Sequence, residues 1–288
     1  MIRPAFSTTA CPDWTLQEVV EHAATWGFEG VEMRSFGRGG VGPGGGLASD
    51  PGMTAGSKVR ALFEDAGLDA CGIATGISFD APIIPPVIGR VLPSFEASVV
   101  DAKHALDVAE DCAASYVRVY PFKTHTFETQ HAVRRRIVER LKKASDHASR
   151  KGCVLVLENA GAFPRAEDIA EIIVRVGSPN LFAGYDIQSA CLDGDDPIEG
   201  VKLLARRLAF ARVRDLQSST PVALGEGDLP VRDFIRAVSE HAKNCWTVFS
   251  WDRLWLPELD HASDVMPGVP KLLYEWASPG ARANHHAA

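Results

Sequence analysis

Ionisable side chains recur along this 288-residue chain at one kind of place, directly at the end of a short apolar run. Glu32 and Arg34 close GVEMR, and Arg118 lies within YVRVY. Glu158 closes VLVLE and Asp186 closes GYD. Arg212, Arg214 and Asp215 close ARVRD, and Asp252 follows Ser250 and Trp251 in VFSWD. Carboxylates so placed are candidates for proton transfer. Guanidiniums beside them can hold developing negative charge, and they suit an anionic substrate such as a sugar acid.

Each charge taken alone has a plainer reading. Glu32 with Arg34, and Arg214 with Asp215, could be rim ion pairs, which contribute little. Glu158 resists that reading, because it follows the apolar run Cys153–Leu157. A carboxylate emerging from such a run needs a cation or hydrogen-bond donors. Side chains at i and i+2 of a strand share a face. If Glu158 points inward, so do Val156 and Val154; if Arg212 does, so do Phe210 and, at the rim, Arg214.

The elements that must carry these residues alternate regularly. Strands are expected over Pro4–Ser7, Gly30–Arg34, Asp69–Ala74, Tyr116–Tyr120, Cys153–Glu158, Phe182–Asp186, Leu208–Arg214 and Trp246–Trp251. Helices are expected between them, among them Leu16–Trp26, Phe95–Ala114, Ala132–Arg150, Ala166–Val176 and Val231–Lys243. Strand–helix alternation means a parallel sheet with crossover helices. Eight units favour closure, so the expected fold class is α/β, a single (β/α)₈ TIM barrel over residues 1–277, with a frayed tail over 278–288. In such a barrel reactive groups sit at the carboxyl ends of the strands. Glu158, Asp186 and Arg212, on three consecutive strands, would then face one mouth.

Composition narrows the partners. The net charge is −7, and no stretch is basic enough to follow a phosphate backbone, so nucleic acid is not expected. The run Arg134–Arg136 reads as a solvated helix face. The cysteines form no CxxC pair and mostly lie in apolar runs, as in a reduced intracellular protein. The first residues lack the apolar core of a signal peptide, and no apolar run nears the roughly 20 residues of a membrane span. The expected location is cytoplasmic. Between Phe36 and Asp50, Gly37, Gly39 and Gly42 match GxGxxG, but Pro43 and further glycines follow where a helix would have to begin. That segment and Asp80–Pro93 read as long βα loops on the active-site face, of a kind that can act as lids.

In segments covering nearly the whole chain, the sequence resembles the xylose-isomerase-like TIM barrels, the superfamily of sugar epimerases, hydroxypyruvate isomerase, inosose dehydratase and metal-dependent AP endonucleases. The resemblance is carried in order by GFEGVEMR, YVRVY, VLENAG, GYDIQS, ARVRD, GEGDLP and SWDRLWLPEL. It implies a divalent metal (Mn, Mg or Zn) held by carboxylates at Glu158 and Asp186, a His on strand seven and a Glu on strand eight. The strand-seven His is Arg212 here, the strand-eight Glu is Ser250, a His expected three residues after Asp186 is Ser189, and a His common after Glu-Asn is Ala160. Two carboxylates alone hold such ions weakly, with Gln188 or water completing the shell. Arg212 would repel a cation and could replace it as counter-ion. No tightly bound metal is therefore expected.

Two functions are compatible with this pattern. The resemblance implies an isomerase, epimerase or dehydratase-like enzyme that moves a proton alpha to a carbonyl of a small carbohydrate-like substrate. Glu158 would be the base, Arg212 or Arg214 the electrophile, and Asp186 a further catalytic carboxylate. Glu32, Arg34, Arg118, His125, Arg214 and Trp251 would bind substrate. The loss of Glu at Ser250 disfavours two-base epimerisation. The alternative is a non-catalytic or partner-dependent barrel of the same family. A homo-oligomer is compatible with either.

Overall fold

The computed structural model describes residues 1–35, 55–82, 96–123 and 128–278. The glycine-dense segment over 36–50, most of the loop over 80–93, His125 and the tail beyond Ser278 lie outside the described residues.

Eight parallel strands close into a barrel. They are β1 (Arg3–Ser7), β2 (Gly30–Arg34), β3 (Asp69–Ser78), β4 (Tyr116–Tyr120), β5 (Val154–Glu158), β6 (Leu181–Asp186), β7 (Leu208–Val213) and β10 (Trp246–Phe249). Closure comes from β1, which pairs with β2 on one side and β10 on the other. The sequence-based bounds hold to within a few residues, with β3 running four residues further, to Ser78. A short antiparallel hairpin, β8 (Asp215–Gln217) and β9 (Thr220–Val222), follows β7 and was not expected.

Helices α1 (Leu16–Trp26), α2 (Gly56–Asp65), α3 (Ala97–Asp111), α4 (Gln130–Ala148), α5 (Ala166–Val176), α6 (Ile187–Leu192), α7 (Pro197–Leu204), α8 (Val231–His241), α9 (Ala262–Val265) and α10 (Val269–Ala277) join the strands. Local chemistry sets their ends. Thr15 and Glu18 form a reciprocal capping box at the start of α1. Gly27, at φ +85°, ends the same helix in the left-handed region. Among the described residues no helix is long and apolar enough to cross a membrane.

Strand alternation divides the core in two. Outward residues such as Val31, Val117, Leu155, Leu157, Ala211 and Phe249 pack with the helices. Inward residues Ala5, Cys71, Tyr116, Val156, Phe210, Trp246 and Val248 fill the barrel, with Val154 and Phe182 against them. Tyr116 and Phe210 stack at 5.0 Å across the interior. Gly72 and Gly184 make that possible: a Cβ at either would lie 2.2–2.3 Å from the ring of Tyr116 or Phe210.

The arginine run on α4 is not a solvated face. Only Arg135 is solvated, with 64% of its side chain exposed. Arg134 pairs with Asp168 and Glu171 on α5. Arg136 is buried, binds Glu128 and donates to the Asp80 carbonyl, while Arg140 donates to the carbonyls of Phe79 and Ala81. A guanidinium offers five donors in a fixed fork, enough to satisfy carbonyls left unpaired where β3 ends.

Candidate functional site

The inward face of each strand continues from the apolar interior into charge at its carboxyl end. On β4 the order is Tyr116, Arg118, Tyr120; on β5 it is Val154, Val156, Glu158; on β7 it is Phe210, Arg212, then Arg214 just beyond the strand. Glu32 arrives by the same alternation on β2.

Arg212 sits at the centre. Its Nε donates to Glu158 Oε1 at 2.5 Å, and its two terminal nitrogens donate to both oxygens of Glu32 at 2.9 Å. Nη1 also reaches Ser250 Oγ at 2.8 Å. Arg118 donates to the other Glu158 oxygen at 3.0 Å and to the Thr75 carbonyl at 2.9 Å. The Tyr116 hydroxyl donates to Glu32 Oε1 at 2.9 Å and so ties this tier to the apolar layer beneath it. All four charged members are buried.

The electrostatics are mutual. Burial would raise the Glu32 carboxyl, but Arg212, Arg118 and the Tyr116 hydrogen bond overcome it and hold the pKa at about 2. Burial would likewise lower Arg212, but Glu158 and Glu32 push it well above its ordinary value. The Tyr116 hydroxyl is raised by burial first and by nearby Cys71 and Glu32. Tyr120, whose ring lies 4.5 Å from the Arg118 guanidinium, is raised chiefly by burial.

A second tier lies outward. Asp186 ends β6, and its Oδ1 caps α6 by accepting from Gln188 N at 3.0 Å. Among the described residues the polar partners of its Oδ2 are distant, Ser189 Oγ at 3.4 Å and Arg214 Nη2 at 3.4 Å. Burial raises its carboxyl pKa, Arg214 opposes the rise, and Glu158 adds to it. The Asn159 side chain fixes the strand end, accepting from Asp186 N at 2.6 Å and donating to the Asp186 carbonyl at 3.2 Å. Arg214 makes a short ion pair with Asp252.

Of the residues singled out by sequence, Glu32, Arg118, Glu158 and Arg212 therefore meet directly, and Asp186 meets Arg214. Among the described residues the arginine that binds Glu32 is Arg212, and Arg214 pairs with Asp186 and Asp252. Asp215 instead accepts from the backbone N–H groups of Leu216, Gly225, Gly227 and Leu229, ordering the loop after the hairpin. Arg34 lies near the rim, with its Nη1 3.4 Å from the Ala74 carbonyl and Trp255 at 5.8 Å. Trp251 packs in the outer core against Phe249 and donates to the Asp260 carbonyl. Tyr116, Tyr120 and Asn159 were missed as site residues. The i, i+2 pattern through Arg118 would have found both tyrosines.

The sequence matches the family described as Xylose isomerase-like TIM barrel over residues 20–266. The chain belongs to this family. No curated protein matches it. Among solved structures of similar fold are the probable 3-DHS dehydratase AsbF of Bacillus anthracis (16% identity, TM-score 0.75, covering 95% of this chain and 99% of that one). Another is the D-allulose 3-epimerase of Methylomonas sp. (14%, TM-score 0.73, 96% and 98%). A third is the IOLI protein with a bound zinc atom (15%, TM-score 0.75, 96% and 98%). At such identities the likeness is one of fold. Among the described residues of this family member, no three His, Cys, Asp or Glu side chains are grouped to hold a metal ion.

Proposed function

We propose that this family member is an enzyme acting on a small carbohydrate-like substrate, an isomerase, epimerase or dehydratase-like catalyst that moves a proton alpha to a carbonyl. Arg212 stands in it where relatives carry a metal ligand. The observation that carries the reading is the guanidinium of Arg212, only 2% exposed, clamped between Glu32 and Glu158 at the strand carboxyl ends. Replacing a buried ion cluster by well-packed apolar residues is often neutral or stabilising. A barrel with no polar task gains nothing by keeping one at its mouth.

The side chains present do not fit a divalent cation. Both oxygens of Glu158 accept from guanidiniums, and Ser250 Oγ accepts from Arg212. A metal in reach of Glu158 would also meet the full positive charge of Arg212. The guanidinium supplies the counter-charge from within the chain.

The second reading, a non-catalytic or partner-dependent barrel, draws on the saturation of that same buried cluster, whose charges already satisfy one another. Turnover of keto-sugars and sugar acids, measured after chelation and again with added Mn²⁺, separates the two. Metal-independent turnover supports the enzyme. Turnover that appears only with Mn²⁺ sinks the counter-charge role of Arg212. No turnover under either condition favours the binding protein.

A further inference from the structure

The charged groups of the mouth fall into two tiers that differ in access. Side-chain exposure is 0% for Glu32, 2% for Glu158 and Arg212 and 7% for Arg118. It rises to 11% for Asp186, 17% for Arg214 and 24% for Asp252. A substrate can touch only what it can reach, and a base must accept a proton without dismantling its own surroundings.

Glu158 fails both conditions. Each of its oxygens already accepts a charge-assisted hydrogen bond, at 2.5 Å and 3.0 Å, and protonation would weaken both. Glu32 is held by three donors and is wholly buried. Asp252 is tightly paired with Arg214. Asp186 differs: one oxygen is fixed by a backbone N–H, which orients the group, and among the described residues the polar partners of the other, Ser189 Oγ and Arg214 Nη2, both lie at 3.4 Å. Beside it stands Arg214, whose Nη2 faces that same oxygen and whose buried Nε has no hydrogen-bond partner among the described residues.

Resting on the function proposed above, we infer that Asp186, not Glu158, is the catalytic base, and that Arg214 holds the oxygen on which charge develops. The substrate class is an α-hydroxy aldehyde or ketone. Asp186 Oδ2 takes the proton from the carbon beside the carbonyl. The C–H electron pair becomes the second bond of an enediolate, and the carbonyl π pair moves to oxygen, which accepts from Arg214. The proton returns from Asp186 to the former carbonyl carbon. The neighbouring hydroxyl proton passes to the first oxygen as a carbonyl re-forms on the second. Atoms and electrons balance within substrate and carboxylate, with no external oxidant or reductant. Glu158, Arg212, Glu32 and Arg118 are positioning residues that keep the wall behind Asp186 rigid and polar.

The test is deuterium wash-in from D₂O into dihydroxyacetone, D-fructose and D-tagatose, followed by proton NMR with wild type, Asp186→Asn, Glu158→Gln and Asp252→Asn. Asn keeps an oxygen for the α6 cap, so Asp186→Asn should fold normally, and its melting temperature and calorimetric affinity for D-fructose check this. The expected result is a loss of exchange of about 100-fold or more in Asp186→Asn, with substrate binding retained. Glu158→Gln and Asp252→Asn should keep measurable exchange. Exchange surviving in Asp186→Asn, or lost to the same extent in folded Glu158→Gln or Asp252→Asn, overturns the assignment alone. A wild type that exchanges none of the three probes overturns the substrate class and this assignment with it, while the proposed function falls only if sugar acids are not turned over either.

Discussion

Arg212 and Glu32 stand 180 residues apart in the sequence and share two parallel hydrogen bonds of 2.9 Å in the barrel mouth. A planar guanidinium and a carboxylate match each other in this fork-to-fork geometry, which Lys could not reproduce. Glu158 binds the remaining Nε of the same guanidinium. One cation therefore serves two buried carboxylates that would otherwise repel each other.

Arg212→Ala should be strongly destabilising. It leaves Glu32 and Glu158 in a buried site, with Arg118 as their remaining counter-charge, and breaking a buried pair from one side typically costs about 3–5 kcal/mol. One of the two carboxyls should then take up a proton, because like charges at close range raise a carboxyl pKa. Urea unfolding of the variant checks the first claim. A loss under about 1 kcal/mol, the range of exposed pairs, would contradict it.

Arg212→His should restore a metal donor. A neutral imidazole would join Glu158 and Asp186, giving three ligands of the type that hold Zn²⁺ or Mn²⁺. Calorimetric titration should find tighter binding of Mn²⁺ or Zn²⁺ than in the parent. Equal affinity in both proteins would mean that Arg212 is not in the metal's place.

Glu32 should contribute to the acid limb of stability. Its folded pKa of about 2 lies below the ordinary carboxylate value of 4.5. The contribution is therefore fully present above pH 4.5 and lost as pH falls towards 2. Comparing urea midpoints of wild type and Glu32→Gln across that window isolates it. The difference between the two proteins should shrink as pH drops, and a constant difference would show that the Glu32 charge is not the cause.

Gly184→Ala should be destabilising for steric reasons. Its Cβ would sit 2.3 Å from the Phe210 ring, closer than any real contact, and the barrel interior must shift to admit it. Overpacking of this kind typically costs about 1–3 kcal/mol. If thermal unfolding of Gly184→Ala matched wild type, the claim that glycine makes room for the Phe210–Tyr116 stack would fall.

The sequence by itself determined the barrel. Alternating apolar runs and amphipathic segments leave few ways to bury both faces of a parallel sheet, and eight repeats favour closure. It also determined which charges end the strands. The i, i+2 rule set Val154, Val156 and Glu158, and Phe210, Arg212 and Arg214, on one face each. Local rules could not choose partners. The pairs nearest in sequence, Glu32 with Arg34 and Arg214 with Asp215, were plausible at the rim, yet Glu32 bonds to Arg212 and Asp215 turns to backbone N–H groups. The run Arg134–Arg136 looked solvated because its helix is rich in charge, but Arg134 pairs with α5 and Arg136 serves a carbonyl just beyond the end of β3. Only closure of the barrel brings β2, β5 and β7 round one axis. Which carboxylate is buried and saturated and which stays within reach depends on depth along that axis, a distance between strands that no single strand encodes.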